Sequence, residues 1–91
     1  MNAISRDIKI INKLGMHARA AAKLVSVASG FSSQVDIEKS GQRVNGKSIM
    51  GVMMLAAGKG STITLHVTGD DAEACSSAIT QLINKRFDEA E

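Results

Sequence analysis

At 91 residues, 44% hydrophobic and 22% charged, the chain has the composition of an ordinary globular domain and no room for a second one, so residues 1–91 are read as one unit. Pro, Trp and Tyr are absent and Phe occurs only twice, which excludes a surface that stacks nucleic-acid bases on aromatic rings and leaves the core to Ile, Val, Leu, Met and Ala. The net charge of +2 is unevenly spread: residues 1–60 carry nine Lys/Arg against three Asp/Glu, and residues 61–91 carry two against six.

From Ile4 to Ile11 apolar residues alternate, with Ile4, Ile8 and Ile10 on one face, predicting a first strand. Asn12-Lys13-Leu14-Gly15 reads as a loop. A first helix follows over about Ala18–Ser29, with Ala18, Ala21, Val25 and Ala28 as its core stripe and Gly30 as its stop. Ala20, Leu24 and Val27 flank that stripe and are candidates for a contact surface. For Leu24 the plainer reading is that it widens the buried stripe. Gln34–Lys39 and Gln42–Asn45, joined by Ser40-Gly41, predict a β-hairpin.

A second helix is expected from about Ser48 to near Ala57. It has almost no polar side: Val52 and Leu55 share one face, Ile49, Met50 and Met53 lie away from it, and Met54 falls between. A small domain hardly buries a helix all round, so the outward residues form an adaptable docking patch. The last strand is Thr62–Thr68, with Ile63, Leu65 and Val67 inward and His66 a solvated residue on the open face. Asp70 with Glu73 predicts a capping box for a third helix with Ala72, Cys75, Ile79, Leu82 and Ile83 on one stripe, and Asp88–Glu91 makes an acidic end. The order is βαββαβ plus a helix, an α+β arrangement in which one antiparallel sheet carries its helices on one face.

The chemistry concentrates at Gly15-Met16-His17-Ala18-Arg19. His17 falls at or beside the start of the first helix, where backbone N–H groups lack partners and the helix dipole is positive, a ready place for an oxyanion. Ser, Thr, Asp or Asn would cap better. A neutral imidazole nitrogen attacks phosphorus and holds a phosphoryl group, and the Arg19 guanidinium binds two of its oxygens. The plainer reading is a histidine that only caps.

Gly41-Gln42-Arg43-Val44-Asn45-Gly46-Lys47-Ser48 satisfies the nucleotide-binding pattern GxxxxGK[ST]. The intervening residues read as a hairpin strand, Val44 is wanted by the core, and no second acidic motif for magnesium follows, so nucleotide binding is not expected. Ser48 is left as a helix cap. The lone Cys75 has no disulfide partner, no Cys/His cluster has metal-ligand spacing, and neither a signal peptide nor a membrane span is seen. The expectation is a cytoplasmic chain without metal, cofactor, membrane or nucleic-acid partner.

Taken together, Asn12-Lys13-Leu14-Gly15-Met16-His17-Ala18-Arg19 and Lys47-Ser48-Ile49-Met50-Gly51-Val52-Met53 resemble the phosphorylation-site and regulatory-serine segments of the HPr family, the histidine phosphocarriers of the bacterial phosphotransferase system. The likeness extends from about Ile8 to Phe87. It implies an open-faced β-sandwich with sheet order 1-4-2-3, which the element order alone leaves undecided because a ferredoxin-like fold shares it. It also implies that His17 takes phosphoryl on Nδ1 from an enzyme I-type phosphotransferase and passes it to an EIIA-type domain, with Arg19 holding the phosphate. Such a protein is a stoichiometric carrier, not an enzyme, and a monomer is expected. Ser48 matches the serine that a dedicated HPr kinase/phosphorylase modifies in some bacteria. Ile49, Met50 and Met53, with Ala20 and Leu24, match the docking surface for partners. Ala20 stands where most members have proline, and the residues do not separate the sugar carriers from the nitrogen-related ones. The competing reading is a regulatory binding module that uses the Ile49/Met50/Met53 helix without phosphotransfer.

Overall fold

Alternation of apolar side chains along four extended segments builds the sheet. The computed structural model describes residues 2–91, with strands β1 (Asn2–Lys9), β2 (Gln34–Lys39), β3 (Gln42–Asn45) and β4 (Thr62–Gly69), and helices α1 (Ala18–Ser29), α2 (Ile49–Met54) and α3 (Ala72–Asn84). All pairings are antiparallel and the sheet order is β1-β4-β2-β3. This is the order of the open-faced sandwich. The register sets Ile8 opposite Ile63, Val67 between Ile4 and Val35, and Leu65 beside Ile37, so one face of the sheet is continuously apolar. A one-residue slip would turn every one of these side chains outward. The expected first strand runs on to Ile11, whereas the ladder stops at Lys9. Ile10 nevertheless stays buried and tied to the approach of β4, donating to the Ser61 carbonyl at 2.8 Å and accepting from the Gly60 amide at 2.8 Å.

In the β2–β3 turn, Ser40 (φ 52°) and Gly41 (φ 83°) are both left-handed, as a two-residue hairpin with the twist of its strands requires. The nucleotide-binding pattern fails here on structure as well. Gln42–Asn45 is a ladder strand, and the Lys47 ammonium donates to the Phe31 carbonyl at 2.8 Å instead of facing a phosphate.

The helices differ from expectation in three places. First, α1 turns a different face inward: Ala20, Ala21, Leu24 and Ala28 are fully buried, while Ala18 is exposed and Val25 only half-buried. The helix packs against both α2 and α3, and that second neighbour draws the Ala20–Leu24 edge into the core. Ala20 and Leu24 therefore cannot serve as a docking surface, and that part of the expected contact patch is corrected. Second, α2 ends at Met54. Ala56 is left-handed (φ 49°), and the Lys39 ammonium closes the helix by donating to the Leu55 and Ala56 carbonyls at 3.1 and 3.2 Å. Third, the cap of α3 is Asp71, without the expected Asp70–Glu73 box and without a side-chain bond to its own helix.

The Asp71 carboxylate instead reaches across to the loop after α1. It accepts from the Ser33 hydroxyl and from the Ser32 and Ser33 amides, the latter two at 2.8 and 2.9 Å. The Ser33 hydroxyl, followed by the Ser32 amide, lowers this carboxyl from an ordinary value of 3.8 to about 2. A carboxyl that ionises more readily folded than unfolded stabilises the fold above its unfolded value and loses that contribution as pH falls through its folded one. Urea melts at pH 7, 4 and 2 should therefore show the parent more stable than Asp71→Asn at pH 7, with the gap closing between about 4 and 2. A constant gap across that window would mean that the carboxylate charge contributes nothing.

Among the described residues no helix is long and apolar enough to cross a membrane.

Candidate functional site

His17 is the N-cap of α1, in extended conformation (φ −78°, ψ 177°), and its side chain makes no capping bond. Its own carbonyl accepts from the Ala21 amide at 2.9 Å, the first bond of the helix. The amides of Ala18, Arg19 and Ala20 have no acceptor among the described residues, and no acidic side chain sits in the first turn. The positive end of a twelve-residue helix, with the amides of the exposed residues Ala18 and Arg19, thus lies beside an imidazole whose side chain is 27% exposed, while Ala20 is fully buried. The ring is reachable, and the unpaired amides needed to receive an oxyanion are present.

The loop before His17 is held in place by its own sequence. Asn12 is fully buried and donates to the Gly15 carbonyl at 2.8 Å. Gly15 is left-handed (φ 67°) and a Cβ there would lie 2.8 Å from the Ala57 carbonyl oxygen and the Gly58 Cα, so only glycine fits. The Met16 amide bonds Ala57 at 2.8 Å, which ties the histidine loop to the segment that leaves α2.

Arg19 is exposed on the first turn and, with Lys13, Leu14, His17 and Glu89, lines an open groove of about 400 Å³. Its place two residues after the histidine is as expected, and nothing among the described residues engages its guanidinium. Ser48 is the N-cap of α2, its hydroxyl accepting from the Gly51 amide at 3.1 Å. Ile49, Met50, Met53 and Met54 are exposed, Met50 at 73%, while Val52 and Leu55 are buried, so the division of α2 into an inner and an outer face follows the expectation. Leu14, 70% exposed, adds apolar surface beside His17.

One residue of this site escaped the reading of the sequence. The carboxylate of Glu89 bonds Nε2 of His17 through one oxygen and accepts from the Asn12 amide group at 3.0 Å through the other. The His17 bond, aided by that from Asn12, holds this carboxyl below the usual range. The available signal was an acidic chain end in a protein whose basic half carries the histidine, and it says nothing about which glutamate reaches the ring. His66 is also more engaged than a solvated residue. It lies on the open sheet face between the Ser5 hydroxyl, 3.0 Å from Nδ1, and Glu38, 2.9 Å from Nε2.

Residues 4–85 match the family model described as the PTS HPr component phosphorylation site. The chain is 54% identical over 88 residues to the phosphocarrier protein HPr of Cupriavidus necator, covering 97% of this chain and 99% of that protein. It is 43% identical over 90 residues to the phosphocarrier protein NPr of Shewanella violacea, covering 99% of both. Among solved structures, that of HPr-C-His from Thermoanaerobacter tengcongensis superposes with a TM-score of 0.90 at 44% identity, covering all of both chains.

Proposed function

Because the chain belongs to the HPr family of phosphotransferase-system phosphocarriers, we propose that it accepts a phosphoryl group on Nδ1 of His17 from an enzyme I-type phosphotransferase and delivers it to an EIIA-type domain. The observation that carries this reading is the uncapped N-terminus of α1, whose histidine makes no capping bond and keeps part of its ring exposed. In the accepting step the Nδ1 lone pair forms a bond to phosphorus as the donor's bond to the same phosphorus breaks, and no proton leaves the ring. The transferred group, once on the ring, carries at most two negative charges, spread over three oxygens. The unpaired amides of Ala18 and Arg19 at the helix start are suited to receive its oxygens, and the Arg19 guanidinium adds a charged fork with no competing partner among the described residues. Onward delivery is the reverse with a new acceptor, so the protein returns to its starting state without catalysing turnover by itself.

Partners dock on Ile49, Met50 and Met53, joined by the exposed Met54 and Leu14. Methionines suit a surface that must fit more than one partner, since the unbranched thioether repacks easily. Ser48 lies at the edge of this patch. Aspartate caps helices as well as serine and favours the dipole, so Ser48→Asp is expected to melt within about 1 kcal/mol of the parent while weakening docking at least tenfold by setting a charge beside the methionines. Calorimetry with enzyme I and a thermal melt read the two effects separately. Equal affinity would remove this patch from the interface.

The direct test is incubation with phosphoenolpyruvate and enzyme I. The expected product carries one acid-labile phosphate mapped to His17, and drains it to an EIIA-type domain. A chain that stays unmodified overturns the reading.

A further inference from the structure

The chain end is built to meet the histidine. After α3, Arg86, Phe87 and Asp88 form a single turn with φ values of 57°, 54° and 62°. Left-handed backbone costs about 1–2 kcal/mol per non-glycine residue, so a sequence without glycine adopts it only when other contacts hold it there. Phe87 is fully buried, and the Lys23 ammonium donates to its carbonyl at 2.7 Å. Beyond the turn the Lys13 amide donates to the Glu91 carbonyl at 2.7 Å and the two side chains pair at 3.2 Å. Glu89 lies between these two anchors, one oxygen on Asn12 and the other on His17. Asn12 is itself locked, since the same amide group also holds the Gly15 carbonyl.

We propose that Glu89 is a positioning residue for phosphoryl acceptance: its carboxylate takes the hydrogen bond of Nε2–H, fixing tautomer and ring orientation so that the Nδ1 lone pair is presented beside the amides of α1. Which imidazole nitrogen carries the proton is set by the bond the other one makes, and a carboxylate behind a reacting histidine does this in unrelated sites. The proton stays on Nε2 while phosphorus bonds Nδ1, and the carboxylate then lies against a ring that has lost electron density to the phosphoryl group. Glu89 touches neither donor nor phosphorus; it acts through His17 alone.

The proposal rests on His17 being the acceptor, and its test separates the two. With Glu89→Ala, the maximal rate of acceptance from phosphorylated enzyme I should fall about tenfold with the half-saturating concentration unchanged. Nitrogen NMR of the unphosphorylated ring should show a smaller share of the Nε2–H tautomer. Glu89→Gln, whose Oε1 accepts the same bond, should restore most of both. Acceptance by Glu89→Ala at the parental rate, a loss confined to the half-saturating concentration, or an unchanged tautomer share each overturns the proposal. If the parent itself takes up no phosphate, the carrier reading fails with it, whatever the tautomer measurement returns.

Discussion

His17→Ala is expected to take up no phosphate, a fall of at least about a thousandfold, equivalent to about 4 kcal/mol in the barrier. The change removes the imidazole proposed to form the bond to phosphorus, and neither Arg19 nor the α1 amides can supply a nucleophile in its place. The fold should survive. The ring is partly exposed, makes no capping bond, and engages one side chain, that of Glu89. A thermal melt should therefore stay within about 1 kcal/mol of the parent. His17→Gln sharpens the comparison, because a chain that works only as a docking module keeps every partner function in that variant. Phosphate incorporation alongside partner binding decides it: a parent that incorporates phosphate while the variants bind without incorporating it supports the carrier, and undiminished incorporation in either variant would sink it.

Leu24→Ala should unfold readily. Leu24 is fully buried among Ala20, Ala21 and Ala28 on the face of α1 that meets the other helices. Truncating such a leucine costs about 2–5 kcal/mol, from lost transfer energy and the cavity left behind. In a domain of this size each kcal/mol lowers Tm by roughly 4–8 °C, so a fall of about 10 °C or more is expected. Met50→Ala, on an exposed side chain, should leave Tm nearly unchanged and weaken partner docking. The reverse pattern, a stable Leu24→Ala that docks poorly, would return Leu24 to the surface and contradict the packing of α1.

Much of the site was legible because it is local. His17 and Arg19 lie within one turn of a helix start, and Ser48 within one turn of another; a cap position follows from where the apolar periodicity begins. The outer face of α2 was legible for the same reason, since Ile49, Met50 and Met53 fall opposite Val52 and Leu55 by helical geometry. Glu89 was not, because the chain separates it from His17 by 72 residues and three left-handed residues turn it back. Nor was the role of Asp71: the sequence put the cap at Asp70, whereas Asp71 takes the cap position and spends its carboxylate on Ser32 and Ser33.

From the sequence alone came four strands, three helices, the hairpin at Ser40-Gly41 and the histidine at the start of α1, because periods of 2 and 3.6 and turn residues act over a few neighbours. The sheet order β1-β4-β2-β3, the buried face of α1 and the carboxylate behind His17 belong to the tertiary structure. Each depends on which distant surfaces meet, and that is settled by packing all the apolar stripes against one another at once, a condition no single stretch of the chain contains.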